Sequence, residues 1–229
     1  MSQDLREKAS LKFCLFEAHC IFLVGTISVL RSDYPDAKIH TAQTAIDALN
    51  QVANLQPNLV VMDISIPEKP GEMARINTGI QLLRTLMKNY PNLNLVVQSA
   101  QLRTLVRMKA EIAVHKGGFT VADKSISAQE MLKKINWALQ GLTHTKDFKG
   151  IYSELEVKPE WLRFLSLAFQ EGLQDKAIAH RICVSERMVR YYWYRLHVAL
   201  GIDCEELKEQ GKNIRIVTQI RAREAGLID

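Results

Sequence analysis

Between Lys12 and Gly141 the chain alternates short apolar runs with longer stretches of helical periodicity, and this limits the fold more than any other feature. The runs are KFCLF from Lys12, AKIH from Ala37, NLVVMD from Asn58, NLNLVVQSA from Asn92 and GFTVADK from Gly118. The helical stretches are TAIDALNQVANL from Thr44, GIQLLRTLMKNY from Gly79, LRTLVRMKAEIA from Leu102 and SAQEMLKKINWALQG from Ser127. Strands apolar on both faces must be covered on both faces, and parallel strands need a crossover that a helix supplies. The pattern predicts a doubly wound α/β unit around a five-stranded parallel sheet. Pro57 and Pro91 each follow a helical stretch and precede an apolar run, where the chain must leave the helical region.

After Gly141 the alternation stops. GLTHTKDFKGIYSELEV, from Gly141, is polar and carries two glycines, so it reads as a connector. From Pro159 on the pattern is helical throughout, with helices expected at Pro159–Gln170, Gln174–Ile182, Ser185–Leu200 and Lys212–Ala225. The expected organisation is therefore an α/β domain over 1–141, a linker over 142–155 and a small all-α domain of four helices over 156–229. A formal charge of +5 permits a polyanionic partner without requiring one. Cys14, Cys20, Cys183 and Cys204 form no close-set pair, which points to a reduced, cytoplasmic protein. The charged start MSQDLREKAS resembles no signal peptide, and no stretch is apolar for long enough to span a membrane.

The most cationic and aromatic segment is ICVSERMVRYYWYRL, Ile182 to Leu196. Its expected helix opens at Ser185, a good N-cap, with Met188 and Val189 on the inner side and Leu196 and Leu200 extending the buried stripe. A preceding helix with Ala177, Ile178 and Ile182 on one face, and a tight turn at Cys183, complete helix-turn-helix spacing. Arg187, Arg190 and Arg195 have only Glu186 as a counter-charge nearby in sequence, so the helix concentrates positive potential. Arginine can grip phosphate or read guanine with two hydrogen bonds, and Ser185 at the helix start adds a phosphate site. Helical periodicity cannot put all four aromatics on one face, so Tyr192 and Trp193 are assigned to packing.

EGLQDKAIAHRICVSERMVRYYWYRLHVALGI, from Glu171, resembles the LuxR/FixJ (NarL-type) DNA-binding domain, with its Gly-containing turn, K-x-IA, S-x-x-TV-x-x-H and final LG. The ending IRAREAGLI resembles that family's fourth helix. The resemblance implies that the helix from Ser185 enters the major groove of double-stranded DNA. It sets Arg190, Tyr191 and Tyr194 towards bases and Lys176, Ser185, Arg187 and Arg195 near phosphates. Met188 and Tyr192 stand where the family has Thr and His, so base preference does not carry over. Pairs of half-sites in such systems imply a homodimer.

The first domain, from about Ala9 to Gly141, resembles the receiver domain of bacterial response regulators, a flavodoxin-like fold. That family accepts a phosphoryl group from a histidine kinase on an aspartate, assisted by Mg²⁺, a hydroxyl and a lysine. LVVMDISIP supplies Asp63 as the acceptor, VVQSA supplies Ser99, and VADKS supplies Lys124. The family's acidic pair becomes Glu17 and Ala18, leaving Glu17 and Asp63 as a weakened Mg²⁺ site. The loop from Pro67 to Gly79 is several residues longer than usual, and Val121 stands at the family's aromatic switch position. His19 reads as structural, and no Ser/His/Asp or Cys/His constellation, metal-ligand cluster or Gly-rich phosphate loop argues for an enzyme. The expectation is an atypical response regulator that controls transcription, its receiver setting dimerisation or access to the DNA-binding helices, with phosphorylation of Asp63 by a histidine kinase left open as the input. The alternative is a pseudo-receiver adaptor for a protein or small ligand, with a vestigial helix-turn-helix.

Overall fold

A computed structural model of the chain describes residues 11–145 and 158–229. Two compact units result, Met1–Leu102 with Glu111–Asp147, and Arg103–Ala110 with Phe148–Asp229. The expected linker lies outside the described residues from 146 onwards. Among the described residues, no helix is long and apolar enough to cross a membrane.

In the α/β unit the strands are β1 (Lys12–Phe16), β2 (Lys38–Ala42), β3 (Leu59–Met62), β4 (Asn94–Gln98), β5 (Phe119–Ala122) and β6 (Thr143–His144). All pairings are parallel, in the order β2-β1-β3-β4-β5-β6. The first five reproduce the flavodoxin-like order, whose ligand crevice lies at the carboxyl ends of β1 and β3, where the winding reverses. The sixth strand corrects the five-stranded expectation. It is two polar residues long, too short to show a period, and sits where composition suggests a connector.

Helices α1 (Cys20–Asp33), α2 (Ala45–Leu55), α3 (Ile76–Asn89), α4 (Lys109–Val114) and α5 (Ala128–Leu139) form the crossovers. Thr44 and Ser127 cap α2 and α5 by accepting from the amides of Asp47 and Glu130, satisfying donors that a helix start leaves free. The stretch expected as one helix from Leu102 is a 3₁₀ segment, Leu102–Met108, running into α4. Helix α1 is an addition to the expected helices, because CIFLVGTISVL is apolar on every side and shows no stripe. Phe13, Leu15, Leu59, Val61 and Val96 from the strands pack with Leu30, Met131, Ile135 and Ala138 from α1 and α5. Gly79 fixes how near α3 comes to the sheet, since a Cβ there would lie 1.8 Å from the Ile64 carbonyl oxygen.

The helical unit contains α6 (Pro159–Phe169), α7 (Asp175–Arg181), α8 (Glu186–Ala199), α9 (Cys204–Glu209) and α10 (Ile214–Glu224). One helix more than expected forms: α9 is a short turn of helix whose cap, Asp203, accepts from the amides of Glu205 and Glu206. Trp161, Phe164, Leu165 and Ala168 of α6 meet Ile178 of α7, Val189, Trp193 and Leu196 of α8, and Ala222 of α10 in one core.

Candidate functional site

The carboxyl ends of β1 and β3 are locked side by side, Phe16 opposite Met62, and the Asp63 amide donates to the Phe16 carbonyl at 2.8 Å. This brings Glu17 and Asp63, both buried, together at the crevice. Lys124, just beyond β5, reaches across with its ammonium 2.6 Å from Glu17 Oε2 and 2.7 Å from Asp63 Oδ2. The Phe22 ring of α1 lies 4.3 Å from Nζ, so the ammonium is held by two carboxylates and an aromatic face. The other oxygens are also engaged. Glu17 Oε1 accepts from the His19 amide at 2.8 Å and lies 3.0 Å from His19 Nδ1, and Asp63 Oδ1 accepts from the Ser65 amide at 3.1 Å. Ser99, fully buried after β4, accepts from the Gln101 amide at 3.2 Å through its hydroxyl oxygen. Beside the carboxylates, Thr26, Gln98 and strand residues line a cavity of about 10 Å³, room for about one water.

Glu17, Asp63 and Lys124 thus meet in one cluster. His19 lies beside it, satisfied by Glu17 as a structural histidine would be, and its ring nitrogen and the Glu17 and Asp63 carboxylate oxygens lie within 4.8 Å of one another. The only signal in sequence is Glu17 and His19 two positions apart after a strand, and either residue alone reads as ordinary. Mg²⁺ asks for near-octahedral oxygen coordination. Two carboxylates bridged by one ammonium, with an imidazole nitrogen as the third donor, fall short of that set. The loop after β3 runs from buried Pro67 to Arg75 rather than to Gly79, because its last residues belong to α3. It is tied to the start of α2 by the amides of Ala45 and Ile46, which donate to the Pro67 and Glu68 carbonyls.

In the helical unit, α7 ends at a turn in which Cys183 takes a left-handed φ of 55° and the Val184 amide donates to the Ala179 carbonyl at 2.9 Å. Ser185 then caps α8 by accepting from the Met188 amide at 3.2 Å. The buried stripe of α8 is Val189, Trp193 and Leu196; the opposite stripe of Arg187, Arg190, Tyr191 and Tyr194 is exposed. Lys176 and Ser185 are exposed as well, and Arg195 is half-buried with its guanidinium donating to the Tyr191 hydroxyl at 3.0 Å. Among the described residues, neither Arg187 nor Arg190 forms an ion pair. Met188 corrects the expectation of an inner position: it is 41% exposed, because Val189 one residue on takes the inward place in the turn. Trp193 packs against Phe164 and Phe169 and donates its indole N–H to Asp175 at 3.0 Å, while Tyr192 packs on Phe164. A Cys/His pair, which the sequence does not announce, also forms here between Cys204 and His197.

A receiver-like fold with an acidic crevice is thus joined in one chain to a helix-turn-helix unit, an arrangement similar to that of NarL/LuxR-type response regulators. No family model matches the chain. It is 23% identical over 204 residues to the DNA-binding transcriptional activator DevR/DosR of Mycobacterium tuberculosis, a similarity covering 84% of this chain and 89% of that protein. Its fold is similar to RcsB of Salmonella enterica serovar Typhimurium bound to the rprA promoter in the presence of the phosphomimetic BeF₃⁻, at a TM-score of 0.57, 13% identity and coverage of 93% and 99% of the two chains. A structure of two RcsB dimers bound to two parallel DNAs matches at a TM-score of 0.56 and 16% identity, covering 92% and 98%. Receiver domains of response regulators commonly use Mg²⁺, and in this crevice Lys124 lies on both carboxylates.

Proposed function

We propose that this chain is a sequence-specific DNA-binding transcriptional regulator, acting as a homodimer, whose receiver-like unit governs dimerisation or access to α8 through an input other than phosphorylation of Asp63. The exposed stripe of α8 carries this reading: cations and tyrosines at positions 187, 190, 191 and 194 face away from the buried stripe, so one side of the helix is free to enter a major groove. Arg190, Tyr191 and Tyr194, with Met188 beside them, are assigned to base edges and sugars. Lys176, Ser185, Arg187 and Arg195 are assigned to phosphates. The DNA-bound state of RcsB and the DNA-binding activity of DevR/DosR support the DNA-binding reading.

Titrating salt against binding to a random duplex tests the DNA reading. Affinity is expected to fall with salt by about 0.9 in log–log slope for each phosphate neutralised. A protein lacking duplex affinity even at low salt would be an adaptor instead.

The second half of the proposal rests on Lys124, whose ammonium occupies the place between Glu17 and Asp63 where a metal would have to bind. Phosphoryl transfer is catalysed mainly by positioning and charge neutralisation, and here the neutralising charge is already spent on the ground state. Incubation with acetyl phosphate and Mg²⁺, followed by intact mass, is expected to give no adduct. An adduct that disappears in Asp63→Asn would restore a histidine kinase as the partner and phosphorylation as the input.

A further inference from the structure

Outside both sites, one chain of polar side chains runs through the helical unit. Cys204, the first residue of α9, places Sγ 3.1 Å from Nδ1 of His197 on α8, and His197 Nε2 lies 3.0 Å from the Thr218 hydroxyl on α10. The Thr218 hydroxyl donates to the Ile214 carbonyl at 2.7 Å. Because its only hydrogen goes there, the Thr218 oxygen accepts from His197, and Nε2 must carry the ring proton. Nδ1 is then a bare acceptor, and the Cys204 thiol donates to it. The imidazole is held flat against Trp193, with ring centroids 5.9 Å apart, and Trp193 is fixed in turn by Asp175 and by the Arg215 guanidinium 4.4 Å above it. Burial, and secondarily Arg215, keep His197 below its ordinary range, so at physiological pH the ring is neutral and its Nδ1 lone pair faces the thiol.

The other three thiols lack this arrangement. Cys14 is buried, which pushes its thiol up to about 11. Cys20 and Cys183 are both exposed, and their sulfurs hydrogen-bond with an amide nitrogen of Gln43 at 3.7 Å and the His180 carbonyl at 3.9 Å. Neither neighbour is a base. All four cysteines are free, and Cys204 is part-exposed, open to a small oxidant.

We propose that Cys204 is a hydroperoxide-reactive thiol with His197 as its general base. The Cys204 S–H proton passes to His197 Nδ1 as sulfur attacks the outer oxygen of a hydroperoxide. The S–O bond forms, the O–O bond breaks, and the departing oxygen takes the proton back from Nδ1. Sulfur is oxidised by two electrons to a sulfenic acid, and the hydroperoxide is reduced to an alcohol, or to water when it is hydrogen peroxide. The added oxygen lies where α8, α9 and α10 are joined through His197, so the modification acts on the packing of these three helices.

The test treats the full chain with hydrogen peroxide and dimedone and quantifies adducts by peptide mass. Cys204 is expected to be labelled faster than Cys20 and Cys183 although both are more exposed. His197→Phe, which keeps a ring against Trp193, is expected to slow Cys204 by about a hundredfold, the lower end of what a positioned base contributes. Labelling of Cys20 and Cys183 should stay unchanged in that variant. Labelling of Cys204 no faster than that of the two exposed cysteines, or as fast in His197→Phe as in the parent, overturns the proposal. Should His197→Phe fail to fold by circular dichroism, Thr218→Val serves instead. It removes the acceptor that fixes the ring proton on Nε2 and should slow Cys204 several-fold; a parental rate there overturns the proposal equally.

Discussion

Replacing Arg187 and Arg190 together by alanine is expected to weaken binding to a duplex selected from a random pool by about thirtyfold or more, from about 1–3 kcal/mol for each arginine removed from the interface. Both side chains are exposed and, among the described residues, outside ion pairs, so the thermal midpoint of the helical unit should barely move. The two single variants should differ in kind. Arg190→Ala is expected to lower affinity for the selected duplex more than for random duplex, as its proposed place at base edges requires. Arg187→Ala should lower both alike and reduce the salt slope by about one, the signature of a phosphate contact. Fluorescence anisotropy at several salt concentrations separates the two, and equal losses from Arg190→Ala on both duplexes would move it to the phosphate class.

What can be read from the chain, and what cannot, divides along physical lines. Asp63 and Lys124 are legible because a parallel sheet puts every strand's carboxyl end on one edge, so a residue's place after an apolar run fixes its place at that edge. That Lys124 closes on both Glu17 and Asp63 is not legible, since a side chain's reach depends on distances that no local pattern encodes. The stripe of α8 is readable from the spacing of Val189, Trp193 and Leu196, and Met188 is misplaced because an apolar type one residue from the stripe looks inward-facing in sequence. Helix α1 escapes for the opposite reason: an all-apolar helix has no periodic contrast. Cys204 and His197 lie seven positions apart across a turn in which Gly201 takes a φ of 64°, and nothing in that spacing announces a hydrogen bond.

Lys124→Met is expected to destabilise the α/β unit by about 3–5 kcal/mol, the cost of leaving buried charge without its partner. The side chains of Lys124, Glu17 and Asp63 are 9%, 9% and 3% exposed, so water can do little to replace the ammonium. Among the described residues His19 is the other group with a proton to offer Glu17, and it is mostly exposed, whereas the remaining partner of Asp63 is a backbone amide. The loss should therefore concentrate at the ends of β1 and β3, which hydrogen exchange of peptides covering these strands would detect apart from the helical unit. Removing the whole charged cluster, as Glu17→Gln, Asp63→Asn and Lys124→Met together, should recover most of the lost stability, because replacing a buried ionic group entire is often nearly neutral. Two outcomes are then distinguishable. If the single variant is as protected as the parent, the two carboxylates do not depend on this ammonium, and the place between them is open to a divalent cation. If the single variant is destabilised and the triple variant restored, Lys124 is the resident cation of the crevice, and a phosphoryl donor would have to displace it before Asp63 could react.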